Sequence, residues 1–374
     1  IRMIPYGRQS IDRGDIDAVV DVLNSDHLTT GPKVKEFEGA LGDYCEAKYV
    51  VAVSSGTAAL HLISLALLSK NDKVLTTPNS FLATSNSILY VDAKPIFVDI
   101  KEDGNINLDL CEEELNKDPS IKAIYTVAFS GHMVDQKKLK YLKETYDVTV
   151  VEDCSHAIGA NEDGIKAGSC TNSDSSIFSF HPVKHLTTAE GGAITTNSKE
   201  IYEKLLILRN HGMVKTPDMK PWEYEMRDLG FNYRITDVQC ALGLSQLKKL
   251  PNFINRRIDI AKTYDKAFKN SIVKPLYIFD RKSSYHLYVV QVDFTKLGIS
   301  KEELFLKLKE KEISIQLHYI PINKQPYYKT LGHGDEVTPV MDKYYEECFS
   351  LPMFPKLSDD ELSYVIETLY KVLQ

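Results

Sequence analysis

The alternation of short apolar runs with amphipathic segments constrains the fold of this chain more than any other feature of its sequence. Tyr49–Val53 is a continuous apolar run, and strand-like runs follow at 73–76, 95–98, 121–127 and 148–152. Segments with helical spacing separate these runs. Strands that alternate with helices predict an α/β fold, in which helices cover both faces of a parallel sheet. An uninterrupted apolar run is typical of a strand buried on both faces of such a sheet, which we expect for Tyr49–Val53.

Helical spacing of apolar residues also predicts where the helices lie. The segments concerned are 11–23, 34–44, 58–62, 80–90, 108–115, 135–146, 201–209, 237–250, 255–268, 301–309 and 359–373. Pro251 interrupts the longest pattern, and a proline inside a helix removes a hydrogen bond and clashes with the preceding turn. We therefore predict that a large domain of residues 1–250 is followed by a smaller domain of residues 251–374. Strand-like segments at 285–292 and 313–319 indicate an α+β architecture for the second domain.

Composition narrows the functional classes. The chain has 374 residues and a net charge of −7, from 45 basic and 52 acidic residues, without a dense basic run. Nucleic acid and anionic membranes are therefore not expected as partners. No apolar run reaches the length of about 20 residues that spans a bilayer, and the first residues lack the apolar core of a signal peptide. The six cysteines form no CxxC pair, which disfavours a zinc site and a disulfide framework. These observations predict a cytoplasmic protein.

The stretch 175–192, SSIFSFHPVKHLTTAEGG, contains the strongest candidate for a reactive group. Lys184 follows a buried strand, where partial desolvation lowers the pKa of an ammonium group and frees the amine to condense with a carbonyl. A lysine chosen at random is more often a surface residue. Here, however, small and hydroxyl residues surround Lys184, and a glycine pair follows, which lets the backbone approach a bound group closely. We therefore identify Lys184 as the candidate reactive centre.

Other candidate residues follow further predicted strands, and the carboxyl ends of parallel strands are where ligands bind in α/β sheets. Ser54–Thr57 joins a strand to a helix, an arrangement that suits either an anion site or an ordinary helix cap. Asp153 could hold a cationic ring nitrogen or could cap a helix. A metal site at Asp153, Cys154 and His156 fits known ligand spacings poorly. Phe81 could belong to the core or could lie flat against an aromatic ligand.

Taken together, these motifs resemble the DegT/DnrJ/EryC1/StrS family of sugar-nucleotide aminotransferases, which use pyridoxal phosphate. The resemblance extends from about Tyr6 to Pro355 and rests on residues in the same order and spacing. These are Ser55-Gly56-Thr57, Phe81, Glu152-Asp153, Ser179-Phe180-His181 with Lys184, Glu190-Gly191-Gly192 and Gly230-Phe231-Asn232-Tyr233-Arg234. It implies the aspartate aminotransferase-like fold, fold type I of the pyridoxal-phosphate-dependent transferases, whose large domain has a mixed, mostly parallel sheet.

The resemblance also implies roles for individual residues. Lys184 would bind pyridoxal phosphate covalently and move a proton during the reaction. Asp153 would keep the pyridine nitrogen protonated, Phe81 would stack on the ring, and His156 would donate a hydrogen bond to the phenolic oxygen. Four residues would hold the phosphate: Gly56, Thr57, Ser179 and Asn232. Ser179 and Asn232 would also contact the substrate. The residues implied to contact only the sugar nucleotide are Tyr6, Asp26, His27, Leu28, Thr29, His318 and Tyr319.

The same resemblance implies the substrates and the assembly. Asn232 would reach the site from a second subunit, so the protein would be a homodimer with shared active sites. The amino donor would be L-glutamate. The motifs SFHPVKHLTTAEGG, DCSHAIG and QLHYIP are most similar to those of family members that aminate UDP-linked 4-keto-6-deoxy-N-acetyl hexoses in pseudaminic acid biosynthesis. Another 4-keto or 3-keto sugar, such as UDP-4-keto-arabinose or a dTDP-keto sugar, is the alternative substrate.

Three other classes of protein fit the sequence less well. A pyridoxal-phosphate-dependent sugar dehydratase would resemble relatives that have histidine in place of the lysine, whereas this chain has Lys184. A non-catalytic binding module has no need to retain both Lys184 and Asp153. A nicotinamide enzyme is disfavoured because no GxGxxG motif follows a predicted strand.

Overall fold

A seven-stranded mixed sheet forms the centre of the computed structural model, which describes residues 3–277 and 282–374. The strands of this sheet are β1 (Tyr49–Val53), β2 (Lys73–Thr76), β3 (Lys94–Phe97), β4 (Ile121–Val127), β5 (Thr149–Asp153), β8 (Ser175–Ser179) and β9 (Gly192–Thr196). Shorter sheets are formed by β6 (Asn161–Glu162) with β7 (Ile165–Lys166), by β10 (Met213–Val214) with β11 (Glu225–Met226), and by β12 (Lys274–Pro275), β13 (Tyr288–Gln291) and β14 (Cys348–Leu351).

The helices of the described residues cover the central sheet and build the second half of the chain. They are α1 (Arg13–Leu23), α2 (Pro32–Cys45), α3 (Gly56–Leu67), α4 (Leu82–Leu89), α5 (Leu108–Lys117), α6 (Gln136–Tyr146), α7 (Lys199–Arg209), α8 (Asp237–Phe268), α9 (Lys301–Glu310), α10 (Pro326–Thr330), α11 (Pro339–Glu347) and α12 (Asp359–Leu373). Most predicted helices and strands are present, with ends that differ by one to a few residues.

The order of the strands in the central sheet is β1-β9-β8-β5-β4-β2-β3. Strands β8, β5, β4, β2 and β3 pair in parallel, whereas β9 is antiparallel to both of its neighbours. Because β9 reverses direction between them, β1 and β8 run the same way. The carboxyl ends of six strands therefore lie at one edge of the sheet, which is where the sequence predicts ligand binding.

The prediction for β1 was correct for burial and wrong for pairing. Residues 50–53 are buried, as expected from the apolar run. However, β1 is the edge strand of the sheet, and its neighbouring strand is β9, in antiparallel register from Tyr49 opposite Thr196 to Val53 opposite Gly192. The physical reason is that the loop after β8 returns the chain directly as a neighbouring strand, which is the antiparallel connection of a hairpin. Helices α2, α3 and α7 pack against this edge strand and keep it buried.

The predicted end of the helix at Pro251 is also wrong. Helix α8 continues through Pro251, so the predicted helices at 237–250 and 255–268 are a single element of 32 residues. Pro251 itself is exposed, so its ring meets solvent on the outer face of the helix. Before the proline, α8 packs against α1 and α2, and after it Ile260 and Tyr264 are fully buried in a second core. Packing at both ends outweighs the local cost of about 3 kcal/mol for a proline inside a helix.

The segment 313–319, predicted as a strand, is extended but forms no ladder. It makes two isolated bridges, Ile313 with Ile4 and Gln316 with Ser350. Because these partners lie in different parts of the chain, no continuous register forms. Apolar alternation cannot distinguish such a segment from a regular strand.

The buried apolar residues form separate clusters on the two sides of α8. The core of the second half contains residues from α8, β13, α9, β14 and α12, and Ile4 from the start of the chain packs into it. Other clusters pack against the central sheet. The division of the chain between residues 250 and 251 stays a prediction, although a continuous helix crosses that point.

Asp237 joins the first turn of α8 to the start of α2. Its buried carboxylate accepts hydrogen bonds from the backbone N–H groups of Gly31 at 2.8 Å and Lys33 at 2.9 Å. These amides lie at the N-terminus of α2, where backbone donors lack partners within the helix. A Cβ at Gly31 would lie 2.7 Å from the Asp237 carboxylate, so this contact requires glycine.

We expect Asp237→Ala to destabilise the protein by about 1–3 kcal/mol, because two partly buried amides lose a charged acceptor. The free energy of unfolding from denaturant titration, at one protein concentration, measures this effect. Asp21→Ala is the matched control, since Asp21 is exposed on α1 and its loss should change the free energy by less than about 0.5 kcal/mol. Equal stabilities of the two variants would show that the carboxylate does not stabilise this junction.

Candidate active site

A cavity of about 620 Å³ lies at the carboxyl-terminal edge of the central sheet. Residues that follow β1, β2, β4, β5 and β8 line one side of it, and residues 286 and 316–319 from the second half of the chain line the other. Its volume is in the range of sites that bind cofactors and small molecules. The edge of the sheet that topology predicts for ligand binding therefore does contain a cavity.

Ten of the predicted site residues line this cavity. They are Tyr6, Gly56, Thr57, Phe81, Asp153, His156, Ser179, Lys184, His318 and Tyr319. Two other grooves, of about 760 and 560 Å³, contain none of the predicted residues. The chemistry of the side chains, and not the size of the cavity, thus identifies the candidate site.

Local hydrogen bonds fix the loop that carries Lys184 between β8 and β9. Phe180 closes the loop at its base, because its N–H donates to the Gly191 carbonyl at 2.9 Å and its carbonyl accepts from Thr188 N–H at 3.0 Å. The Thr187 hydroxyl donates to the same carbonyl at 2.9 Å. The threonines near Lys184 in the sequence therefore hold the loop in shape.

The glycine pair after Lys184 has a packing role that differs from the prediction. A Cβ at Gly192 would lie 2.5 Å from the Ser55 carbonyl oxygen and 2.7 Å from the Gly56 nitrogen. The close approach that the structure shows is to the start of α3. It places the loop that carries Lys184 beside the N-terminus of α3.

The Lys184 amine is less basic than an ordinary lysine amine. Burial lowers its pKa from 10.5 to about 8, and the negative charge of Asp153 opposes this shift. At pH 7, a pKa of about 8 leaves roughly one-tenth of the amines unprotonated, compared with less than roughly one in a thousand at the ordinary value. The desolvation expected from sequence is thus present, and it makes Lys184 suitable as a nucleophile and as a base.

Two protein donors fix the Asp153 carboxylate at the end of β5. Its Oδ2 accepts from the Thr84 hydroxyl at 2.7 Å, and its Oδ1 accepts from the Ser155 N–H at 3.0 Å. Asp153 is 6% exposed and faces the cavity. No helix begins after it, so the alternative of a helix-capping aspartate is wrong for Asp153. A buried carboxylate with room for a further donor suits a protonated ring nitrogen.

The hydrogen bonds of His156 determine which of its nitrogens carries the proton. The backbone N–H of Ser130 donates to Nδ1 at 3.2 Å, so Nδ1 is an acceptor. Burial holds the pKa of His156 well below its usual range, and the positive charge of Lys184 adds to this effect. The neutral ring therefore carries its proton on Nε2, which lies 3.0 Å from the Tyr319 hydroxyl oxygen. Nε2–H thus donates to the Tyr319 hydroxyl oxygen at the cavity wall.

His318 and Tyr6 form an aromatic wall on the opposite side. Their ring centroids are 5.3 Å apart. His318 Nδ1 contacts the Ser350 hydroxyl at 2.8 Å, and its carbonyl accepts from the Tyr344 hydroxyl at 2.6 Å. Burial lowers the pKa of His318 to about 3, so this ring is neutral at any pH where the protein functions.

The N-terminus of α3 forms a close-packed backbone cradle at the cavity. The Ser55 hydroxyl caps the helix by accepting from the Ala58 N–H at 3.0 Å, which leaves the amides before Ala58 directed toward the cavity side. A Cβ at Gly56 would lie 2.8 Å from the Ser179 Cβ, so only glycine permits this approach. The turn is therefore a helix cap and, at the same time, the geometry of an anion site.

Five predicted site residues do not line the cavity of this chain. Asn232 is exposed, and so is every residue of the loop Asp26–Thr29. The two segments are neighbours at the start of α8: Thr29 forms a bridge with Thr236, and the Leu28 carbonyl accepts from Asp237 N–H at 3.0 Å. The side chains of these five residues are thus exposed and lie outside the cavity.

Sequence analysis missed three residues that shape the site. Thr84 holds Asp153, Ser130 fixes the proton position of His156, and His286 packs against His156 with ring centroids 4.4 Å apart. Each acts through a contact across a long sequence separation, so no local pattern could reveal it. The position of Thr84 one turn after Phe81 on the same helix is the only sequence signal for any of them.

The side chains present fit pyridoxal phosphate, the cofactor that the sequence resemblance implies. An amine, a buried carboxylate, a helix N-terminus and an aromatic ring meet in one cavity, supplied by Lys184, Asp153, α3 and Phe81. Phe81 is 60% exposed, so its ring is open to the cavity and not part of the core. These four groups match the aldehyde, the ring nitrogen, the phosphate and the ring face of the cofactor. Among the residues that the structure describes, no cluster of His, Cys, Asp or Glu is arranged to hold a metal, and no helix could cross a membrane.

Comparisons with known proteins agree with this site. The model of the DegT/DnrJ/EryC1/StrS aminotransferase family matches residues 9–370. The chain is 42% identical to the UDP-4-amino-4,6-dideoxy-N-acetyl-beta-L-altrosamine transaminase of Campylobacter jejuni (serotype O:23/36, strain 81-176), and the match covers 100% of this chain and 98% of the relative.

Solved structures give the same result for the fold. PseC from Helicobacter pylori, an aminotransferase involved in the biosynthesis of pseudoaminic acid, superimposes with a TM-score of 0.93 at 33% identity over 100% of this chain and 99% of its own. The PLP-form of the sugar aminotransferase Spr1654 from Streptococcus pneumoniae gives a TM-score of 0.89 at 32% identity and covers both chains fully. The predicted fold of a pyridoxal-phosphate-dependent aminotransferase, with its cofactor, is therefore confirmed, and the chain belongs to the DegT/DnrJ/EryC1/StrS aminotransferase family.

Proposed function

We propose that the protein transfers an amino group from L-glutamate to the C4 ketone of a UDP-linked 4-keto-6-deoxy-N-acetyl hexose, in pseudaminic acid biosynthesis. The observation that carries the proposal is that Lys184 and Asp153 face one cavity in a chain that matches the altrosamine transaminase over its full length. The presence of Lys184 and Asp153 in one cavity supports the chemistry, and the similarity to the altrosamine transaminase supports the substrate class.

Pyridoxal phosphate, when bound, supplies an aldehyde that can exchange amino groups and a ring that accepts electrons. Asp153 accepts a hydrogen bond at the position of the ring nitrogen and keeps a proton there. Since the Thr84 hydroxyl and the Ser155 N–H already occupy one site on each carboxylate oxygen, the remaining lone pairs face the cavity. The N-terminus of α3 and Ser179, which line the cavity, would hold the phosphate, and Phe81 would cover one face of the ring.

Lys184 moves the proton that amino transfer requires. Its amine has a pKa of about 8, so near neutral pH it can both take a proton from carbon and return one. The neutral rings of His156 and His318 leave Lys184 as the basic group of this cavity wall, since burial keeps the pKa of each histidine well below its usual range. The Nε2–H of His156, which donates to the Tyr319 hydroxyl in the structure, would turn to the phenolic oxygen when the cofactor is bound.

The wall from the second half of the chain suits the sugar nucleotide. His318 and Tyr319 present ring faces and a hydroxyl group to the cavity, and Tyr6 lies beside them. Burial raises the pKa of Tyr319 above its usual value, so its hydroxyl stays protonated and can donate to a sugar oxygen. The tilted ring pair of Tyr6 and His318 offers an aromatic surface on which a sugar ring can pack.

We also propose a homodimer with shared active sites. Asn232 and the loop Asp26–Thr29 are exposed in the single chain and lie outside its cavity, although the family resemblance gives both a role in binding. A second copy brought against these residues would place them beside a cavity. The proposal includes the cytoplasmic location predicted from the sequence.

The purified protein, loaded with pyridoxal phosphate, should convert L-glutamate and a UDP-4-keto-6-deoxy-N-acetyl hexose into 2-oxoglutarate and a 4-amino sugar. Mass spectrometry of both products measures this reaction across a panel that includes UDP-4-keto-arabinose, a dTDP-4-keto sugar and a 3-keto sugar. Lys184→Ala should reduce turnover by at least about a thousandfold with an unchanged melting temperature, whereas Lys117→Ala, on an exposed face, should retain it. Amination of another panel member alone would replace the substrate, and turnover by Lys184→Ala at the wild-type rate would refute the mechanism.

The cofactor-free protein should react with an amine-directed reagent at Lys184 with a midpoint near pH 8, because burial lowers the pKa of this amine to about 8. Reactivity rises with pH, since only the unprotonated amine reacts. Asp153→Asn should move the midpoint to lower pH, because the carboxylate charge raises this pKa. Peptide mapping by mass spectrometry measures the labelled fraction. Lys117 is the internal control, as its hydrogen bond to Glu114 raises its pKa. A shared midpoint for the two lysines would show that Lys184 is not desolvated.

Mixing two inactive variants should restore activity if the sites are shared. In a hybrid dimer of Lys184→Ala and Asn232→Ala, one of the two sites has both wild-type residues. Random exchange makes half of the dimers hybrid, so we expect about a quarter of the wild-type activity. Dissociation in mild denaturant followed by refolding of the mixture provides the measurement, with each variant refolded alone as control. Complete absence of activity in the mixture, when both variants refold to dimers, would place Asn232 in its own subunit's site.

A further inference from the structure

We propose that Thr84 is a positioning residue for Asp153, and that it acts through a directed chain of hydrogen bonds from Ser80. The inference rests on the role that the proposed function gives to Asp153, as the partner of the pyridine nitrogen. It assigns a part in cofactor binding to two hydroxyl groups that neither the motifs nor the comparisons identify.

The direction of the chain follows from counting hydrogens. The Thr84 hydroxyl has one hydrogen and lies 2.7 Å from Asp153 Oδ2, which can only accept when the carboxylate is ionised. The same hydroxyl lies 2.7 Å from the Ser80 hydroxyl. Since the Thr84 hydrogen is used for Asp153, Ser80 must be the donor in the second contact. The chain therefore runs from Ser80 to Thr84 to Asp153.

Burial makes this chain effective. Ser80 is 4% exposed, Thr84 is 1% exposed and Asp153 is 6% exposed. Hydrogen bonds to an ionised group in such surroundings are stronger than in water, and each donor polarises the next. Water cannot replace the Thr84 hydroxyl here without space to enter. The orientation of the Asp153 carboxylate thus depends on the Thr84 hydroxyl at Oδ2 together with the Ser155 N–H at Oδ1.

The location of Thr84 connects the two contacts of the proposed cofactor ring. Phe81, the residue proposed to stack on the ring, is the N-cap of α4, and Thr84 is in the first turn of the same helix. One helical turn therefore sets the position of the aromatic ring and, through Asp153, the position of the carboxylate. A rigid first turn of α4 keeps the Phe81 ring and the Asp153 carboxylate at a fixed relative position. Residues that orient the groups around a bound cofactor have this role.

The test uses the full-length protein and three variants of α4. Thr84→Val removes the hydroxyl and keeps the shape, whereas Thr84→Ser keeps the hydroxyl. Ser85→Ala is the matched control, because Ser85 is fully buried on the same helix but its hydroxyl contacts Tyr328 at 2.6 Å. The dissociation constant for pyridoxal phosphate and the visible circular dichroism of the bound cofactor are measured for each, with melting temperatures to verify folding.

We expect Thr84→Val to weaken pyridoxal phosphate binding by roughly tenfold or more and to reduce the visible circular dichroism, because the carboxylate loses its fixed orientation. Thr84→Ser and Ser85→Ala should remain within about threefold of the wild type. In an Asp153→Ala background, Thr84→Val should add less than about a twofold effect, since its partner is then absent.

The other outcomes overturn either the positioning role of Thr84 or the proposed function. Wild-type binding by Thr84→Val, or an equal loss in Ser85→Ala, would overturn the positioning role. Full additivity with Asp153→Ala would show that Thr84 acts without Asp153. If the wild type itself does not bind pyridoxal phosphate, the proposed function fails. If Asp153→Ala loses binding while Thr84→Val keeps it, the proposed function stands and only this inference is wrong.

Discussion

The close approach of the Gly192 backbone to Ser55 and Gly56 is the contact on which the rest of the site depends. No side chain fits between these segments, because a Cβ at Gly192 would lie within 2.5–2.7 Å of the backbone of the α3 start. This contact brings β9 against β1 and closes the edge of the sheet. It also fixes one end of the loop that carries Lys184. The cradle at α3 and the reactive amine are thus positioned by a single meeting of two backbone segments.

Few side chains at the cavity carry a charge. Burial lowers the pKa of Lys184 and keeps the rings of His156, His286 and His318 neutral. The aromatic and imidazole groups therefore contribute hydrogen bonds and packing, and Lys184 and Asp153 are the two groups to which the proposed function gives the proton chemistry. In such a site the local dielectric strengthens every remaining polar contact. The cost of burying one amine near a carboxylate is offset because their charges attract.

The sequence predicted what depends on local pattern and missed what depends on distant contacts. Strand and helix alternation identified the parallel part of the sheet, and the motifs around Lys184 and Asp153 identified two groups that share the cavity. The pairing of β1 was wrong, because an apolar run does not encode which neighbour it meets. The end of the helix at Pro251 was wrong, because packing on both sides of α8 outweighs a local penalty. Thr84 and Ser130 were missed, since each acts on a residue far along the chain.

The unbroken path of α8 through Pro251 has a consequence for how this family can be recombined. One helix of 32 residues contributes side chains to the cores on both sides of that proline. Each residue of an α-helix turns the following ones by about 100°. A one-residue insertion or deletion in the middle of α8 would therefore rotate every downstream side chain away from its core. Exchange of the C-terminal third between relatives requires that the length of this helix be conserved to the residue, even where its exposed sequence is free to vary.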